Sequence, residues 1–174
     1  MFIAVIQGMS STWFEQTIAH QRAELVHQLE PSMAALSRRC AGVWSEREAL
    51  DRVLFKGLSV IPGCHLLYAM NPEGVQVSAN VAHSGLELDR RGQDLSARPY
   101  TANVTPAKAM SRRHFLLSSV YISQISARPC VTAVHLVTQD NTVLGFVLAD
   151  FDLHDLPAGE VGQHANPPVA PDQG

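Results

Sequence analysis

A small set of side chains in the chain could together hold a small charged molecule. Arg98 and Tyr100 flank a proline after a polar stretch, Tyr121 lies in a β-branched run, and Asp150 and Asp152 lie in the last apolar run. A guanidinium binds carboxylates, a carboxylate binds ammonium groups, and tyrosines offer hydroxyls and aromatic faces. This combination is typical of a site that binds a zwitterion or a carboxylate, and it does not indicate bond cleavage.

Residues 115–153 must position three of these side chains, and their pattern predicts a three-stranded antiparallel meander. Three apolar, β-branched runs are separated by polar turns at 126–129 and 139–141. Asp150 stands in an apolar strand, where an unpaired buried carboxylate would be costly, so it must be partnered or exposed. Asp152 follows two residues later and therefore shares a strand face with Asp150.

The preceding residues predict two helices. An apolar stripe over residues 11–40 indicates a long helix, and Pro31 should kink or break it near Glu30. A second helix is expected over residues 45–58, with Ser45 and Glu48 as a capping box. The stripe of the first helix consists of Phe14, Ile18, Leu25, Leu29, Leu36 and Cys40.

Strands follow the two helices. Residues 65–70 and 75–78 predict a hairpin closed by the turn 71–74, residues 80–96 a long loop, and residues 99–114 a short helix. Helices followed by strands predict an α+β fold, with a five-stranded antiparallel sheet and the long N-terminal helix packed on one face. The segment 80–114 should cover the other face and leave room for a ligand.

Composition limits the other possibilities. The chain has 174 residues, 46% of them apolar, and a formal net charge of −3, which suits one globular domain and does not favour a nucleic-acid partner. We assign residues 1–10 to an N-terminal extension, 11–156 to the domain and 157–174 to a disordered tail, with Met1 or Met9 as the start. No apolar run is long enough for a membrane span or a signal peptide.

Cysteine and histidine usage adds three expectations. Three cysteines without a CxxC spacing suggest reduced thiols and a cytoplasmic protein rather than a disulfide framework. Eight histidines occur without a metal-binding spacing, so no metal or other cofactor is expected. Because no nucleophile–base pair, carboxylate dyad or phosphate loop is recognisable either, we do not expect an enzyme.

Three stretches in order resemble Cache sensor domains, which are extended relatives of PAS domains. They are GQDLSARPY at 92–100, LSSVYIS at 117–123 and VLGFVLADFDL at 143–153, and the similarity spans roughly residues 11–156. In Cache domains that bind amino acids, the first segment holds the ligand carboxylate, and the middle and last strands hold its amine. By position, the resemblance implies Arg98 and Tyr100 for the carboxylate, and Tyr121 and Asp150 for the amine.

The resemblance also implies partners. A ligand-sensing module would form a homodimer through the long N-terminal helix and pass its signal to a separate output protein. Thr101 stands where such domains often carry a second aromatic residue, which leaves the ligand open between an amino acid and another small carboxylate. The alternative is a protein interaction or dimerisation module that binds no ligand.

Overall fold

The computed structural model describes residues 2–101 and 104–156, with side chains of the first helix described at residue 16 and from residue 19 onward. Three α-helices occur there: α1 (Phe2–Ala41), α2 (Arg47–Leu58) and α3 (Pro106–Ser111). The strands are β1 (Cys64–Met70), β2 (Asn80–Ala82), β3 (Gly85–Glu87), β4 (Phe115–Leu117), β5 (Tyr121–Ile122), β6 (Pro129–Gln139) and β7 (Thr142–Asp152). The predicted tail, 157–174, lies outside the described residues.

All strands of the described chain form one antiparallel sheet in the order β3-β2-β1-β7-β6-β4, with β5 also paired to β6. The predicted α+β class, with an N-terminal helix packed on an antiparallel sheet, is confirmed. Seven strands are found within the described residues instead of the predicted five. Three strands are gained, because the predicted loop 80–96 contains β2 and β3 and because the first strand of the meander is divided into β4 and β5. One is lost, because no strand forms over residues 75–78.

The long hairpin of β6 and β7 is the centre of the sheet and follows the predicted turn at 139–141. Asp140 and Asn141 both have positive φ angles, 48° and 62°, as two-residue turns that match the twist of a sheet require. The register places Thr132 opposite Asp150 and Cys130 opposite Asp152. The predicted partner of β1 over 75–78 forms only an isolated antiparallel bridge, between Met70 and Gln76, and not a strand. The Ser78 hydroxyl accepts a hydrogen bond from the Ala69 amide, and β2 becomes the neighbour of β1 beyond that point.

Helix α1 differs from its prediction at both the start and Pro31. It begins at Phe2, so it continues through the predicted boundary between residues 10 and 11, and it also continues through Pro31. Leu29 and Met33, on either side of the proline, are fully buried. Their packing outweighs the roughly 3 kcal/mol that a proline costs inside a helix, so the predicted break is wrong. The stripe residues Leu29, Leu36 and Cys40 are buried as expected, whereas the side chains of Phe14 and Ile18 lie outside the description.

Helix α2 begins later than predicted. Its N-cap is Glu46, which makes no side-chain capping bond. The capping box of Ser45 and Glu48 is therefore wrong, although the body and the end of the helix agree with the prediction.

The sheet is buried on both faces by different parts of the chain. The helices cover one face, where Val147, Ala149 and Phe151 of β7 join their core. Residues 88–101 and 104–111, which we call the lid segment, cover the other face together with Phe146 and Leu148. Because side chains alternate along a strand, Asp150 lies on the face under the lid segment.

Candidate ligand-binding site

A cluster of tyrosines surrounds the Asp150 carboxylate under the lid segment, and it contains all three tyrosines of the chain. The Tyr68 hydroxyl donates to Asp150 Oδ1 at 3.1 Å. The rings of Tyr68 and Tyr100 are edge to face with centroids 6.4 Å apart, and those of Tyr100 and Tyr121 are 5.2 Å apart. Residues from β1, the lid segment and β5 therefore meet over β7.

Thr132 of β6 connects Tyr121 to the carboxylate. Its Oγ1 donates to Asp150 Oδ1 at 2.7 Å and is hydrogen-bonded to the Tyr121 hydroxyl at 2.8 Å. Thr132 lies directly opposite Asp150, and Tyr121 lies opposite Cys130 on the other neighbour of β6. The pairing of β5, β6 and β7 thus aligns Tyr121, Thr132 and Asp150 in one hydrogen-bonded chain.

Burial governs the ionisation of this cluster. It raises the pKa of Asp150 to about 6, against the opposing effect of the hydrogen bonds from Thr132 and Tyr68. Asp150 is therefore a carboxylate at neutral pH that takes up a proton in mildly acidic solution. Burial also raises the pKa values of Tyr68, Tyr100 and Tyr121, so the three phenols stay neutral and can donate hydrogen bonds to an anion.

Arg98 lies at the rim of the cluster and not in its centre. Its Nη1 donates to Gln124 Oε1, and its positive charge acts to lower the pKa of Tyr100 against the larger effect of burial. Thr101 Oγ1 donates to the carbonyl oxygens of Leu95 and Arg98, the latter at 2.8 Å. Thr101 thus closes the turn that presents Arg98 and Tyr100.

Asp152 shares the sheet face of Asp150 but has different partners. It accepts from the backbone amide of His154 at 2.9 Å and from Arg128 Nη1 at 3.3 Å. Its pKa is lowered, first by the hydrogen bond from the His154 amide and also by Arg128. The structure thus brings Tyr100, Tyr121 and Asp150 together, with Arg98 at their rim. Asp152 is bonded instead to Arg128 and the His154 amide at the end of β7.

Comparison with known proteins identifies the fold. No family model and no curated protein matches the sequence. Among solved structures, the sensory domain of the Campylobacter jejuni chemoreceptor Tlp3 with bound isoleucine matches at a TM-score of 0.55 and 15% identity. The ligand-binding domain of the Pseudomonas fluorescens chemoreceptor CtaA with L-serine matches at a TM-score of 0.53 and 18% identity. The chain has a Cache-like fold.

The matches extend over most of this chain and over part of each similar chain. They cover 83% of this chain and 63% of the Tlp3 chain, and 80% of this chain and 56% of the CtaA chain. A Bacillus subtilis protein, YkuI, which has an EAL domain and was solved with its substrate c-di-GMP and calcium, matches at a TM-score of 0.55 and 18% identity. That match covers 82% of this chain and 37% of the YkuI chain.

Two residues of the cluster, Tyr68 and Thr132, were not predicted from the sequence to belong to the site. Tyr68 is the one hydroxyl-bearing residue of the strand CHLLYAM. Thr132 is one of two threonines in the strand PCVTAVHLVTQ, and it is the fully buried one. A buried hydroxyl needs a hydrogen-bond partner, which was the available signal. The partner itself could be recognised only from the register that brings both strands beside β7.

Two further properties concern the described part of the module. Within residues 2–101 and 104–156, no group of three or more His, Cys, Asp or Glu side chains is arranged to hold a metal ion. None of the helices found in those ranges combines the length and the apolar character needed to cross a membrane.

Proposed function

We propose that this Cache-like module is a sensor that binds an amino acid or another small carboxylate over the sheet. The observation that carries the proposal is the buried Asp150 carboxylate beneath three tyrosines. Burying a charge without a counter-ion is costly, and a ligand ammonium group would supply the missing positive charge. The relatives Tlp3 and CtaA, solved with isoleucine and L-serine, support a ligand of this kind.

The residues divide between the two ends of such a ligand. Asp150, with Tyr121 and Tyr68 beside it, would receive the ammonium group. Arg98 and Tyr100 would bind the carboxylate. Arg98 would give up its hydrogen bond to Gln124 and form a stronger, charge-assisted hydrogen bond to the ligand. Asp152 was also predicted to contact the ligand. Since Arg128 and the His154 amide occupy it, we place it outside the direct contacts.

The ionisation of the tyrosines favours ligand binding over catalysis at this site. A nucleophilic hydroxyl needs a lowered pKa or a base that removes its proton. The phenols of Tyr68, Tyr100 and Tyr121 instead have raised pKa values. We therefore infer that these three phenols contact a ligand and do not act as nucleophiles.

The signal would leave the module through α1. Residues 19–24 of this helix are exposed, and an exposed helix segment can pack against a second copy. A homodimer and a separate output protein follow from this proposal, and sedimentation equilibrium tests the dimer. The location in the cytosol stays a prediction based on the free thiols, which cell fractionation checks.

A thermal-shift screen of L-amino acids and small carboxylates tests the binding proposal. A compound present at 100 times its Kd stabilises the protein by about 2.7 kcal/mol, which raises Tm by several degrees. Arg98→Ala and Asp150→Ala should abolish the shift. The matched control Arg52→Ala, an exposed arginine of α2, should keep it. If no compound raises Tm, or if Arg98→Ala leaves the shift unchanged, the proposed site is wrong.

A second candidate function is an interaction or dimerisation module that binds no ligand. The mutual packing of Tyr68, Tyr100 and Tyr121 favours it, since the tyrosines themselves occupy the space over Asp150. This candidate predicts a dimer whose dissociation constant is the same with and without every compound of the screen.

A further inference from the structure

The edge of the sheet between β4 and β5 is interrupted directly beside the tyrosine cluster. β4 ends at Leu117 and β5 begins at Tyr121. In the gap, the Ser118 amide donates to the Thr132 carbonyl at 2.9 Å, and the Ser118 hydroxyl accepts from the Thr132 amide at 2.9 Å. Ser118 is thus bonded to the backbone of the same threonine whose hydroxyl binds Asp150 and Tyr121.

The other side of this gap is held by α1. Arg22 Nη1 donates to the Ser118 carbonyl at 2.9 Å, and Arg22 Nη2 donates to the Leu117 carbonyl. A guanidinium that binds two successive carbonyl oxygens fixes both distance and angle, which a lysine cannot do. These residues lie more than ninety positions apart in sequence, so the contact joins two distant parts of the chain.

The gap is therefore attached at three points to three parts of the molecule. Tyr121 attaches it to the site, Thr132 attaches it to the centre of the sheet, and Arg22 attaches it to α1. A ligand that moves Tyr121 would also move residues 118–120, the short connection between β4 and β5. Between Ser118 and Tyr121, Ser119 is exposed and Val120 is 56% exposed, so the hydrogen bonds of Ser118 are what hold the middle of the gap.

We propose that Arg22 couples the tyrosine cluster to α1 through residues 117–121, so that a change at Tyr121 alters how firmly α1 is held. The proposal rests on the proposed function for the identity of the ligand. The coupling itself is a property of the chain without ligand. By linkage, the effect is reciprocal: a change at Arg22 also alters the surroundings of Tyr121.

Hydrogen exchange on the full chain without ligand tests the coupling. Four proteins are compared: the wild type, Tyr121→Phe, Arg22→Ala and the double variant. Tyr121→Phe removes the hydrogen bond to Thr132 and should speed exchange within residues 19–30 of α1 about fivefold, the effect of losing one hydrogen bond. In the Arg22→Ala background the same change should have no further effect, because the connection is already broken.

The reciprocal experiment uses the tyrosines as reporters. Labelling the tyrosine ring carbons gives three NMR resonances, all from the cluster. Arg22→Ala should shift the Tyr121 resonance, and Arg22→Lys, which keeps the charge but not the paired donors, should shift it as well. The matched control is Arg39→Ala, which removes an exposed arginine from the same helix and should leave the resonance unchanged.

The outcomes separate this proposal from the proposed function. Equal effects of Tyr121→Phe on α1 with and without Arg22, or no effect in either background, overturn the coupling. L-serine and L-isoleucine are then added at millimolar concentration. If neither they nor the screen compounds raise Tm while the exchange and NMR results are as expected, the sensor function is wrong and the coupling stands.

Discussion

At the residue scale, Asp150 is the side chain whose presence needs an explanation. Its Oδ1 accepts hydrogen bonds from Tyr68 and Thr132, and an asparagine carbonyl could accept both without the cost of burying a charge. Residues that reduce stability without a structural return are typical of functional sites. In the function proposed above, a ligand ammonium group supplies the counter-charge that the Asp150 carboxylate lacks.

Asp150→Asn should stabilise the protein, and the gain should depend on pH. The pKa of Asp150 is raised to about 6, above the value of about 3.9 in an unfolded chain. The folded state therefore holds its proton more tightly, and this group contributes stability that is lost as pH rises from about 4 through 6. Above pH 6 the asparagine variant avoids a loss of up to roughly 3 kcal/mol. Urea unfolding of both proteins from pH 4 to 8 measures the difference.

Asp152→Asn is the matched control on the same strand face and should have the opposite effect. The pKa of Asp152 is lowered, first by the hydrogen bond from the His154 amide. A lowered pKa means that the carboxylate stabilises the fold above the unfolded pKa and that this stability is lost as pH falls. The variant should therefore melt below the wild type at pH 7. Identical pH profiles for the two variants would contradict the assignment of different environments.

At the scale of elements, the helical layer is fixed to the sheet where Trp44 reaches β7. Trp44 lies in the connection between α1 and α2 and packs on Gly145. A Cβ atom at Gly145 would overlap the Met70 carbonyl oxygen and lie 2.6 Å from the Trp44 ring. The glycine in the VLGFVLADFDL segment is therefore required by the close approach of β1 and the tryptophan.

Gly145→Ala should accordingly destabilise the fold by about 3 kcal/mol or more, since the backbone of β1 cannot move aside without breaking its pairing with β7. The measurement is the free energy of unfolding in urea. Gly42→Ala provides the control, because the nearest atom to its added carbon is 3.7 Å away. A Gly145→Ala variant as stable as Gly42→Ala would show that the contact is not tight.

At the scale of the molecule, two hydrophobic cores share one sheet. Phe151 belongs to the core under the helices, and Phe146 belongs to the core under the lid segment. Both are fully buried on the same strand, β7. Both cores therefore depend on the same strand, β7, and disruption of β7 would affect the packing of both.

Unfolding should therefore be a single cooperative transition when followed from either side of the sheet. In a Trp13→Phe background, Trp44 fluorescence reports the helical side and the near-ultraviolet circular dichroism of the tyrosines reports the lid side. We expect the two signals to give the same midpoint and slope in urea. Loss of the tyrosine signal at a lower urea concentration would mean that the lid segment unfolds independently.

Local patterns in the sequence were sufficient for the α+β class, for the β6–β7 hairpin and for the buried face of α1. Each of these depends on the spacing of apolar residues or on turn residues that are neighbours in the chain. The strand pattern also placed Asp150 correctly as a carboxylate that needs a partner. Its partner Thr132 follows only from the pairing register.

The tertiary structure decided what depends on distant parts of the chain. Tyr68 and Thr132 joined the site only in the folded chain. Arg98 is hydrogen-bonded to Gln124 and Asp152 to Arg128. Helix α1 continues through Pro31. The physical reason is the same in each case. A strand pattern fixes which face of the sheet a side chain occupies. Long-range pairing decides which residue lies opposite it. Only burial against a distant partner can outweigh the local free-energy cost of a proline in a helix or of a buried charge.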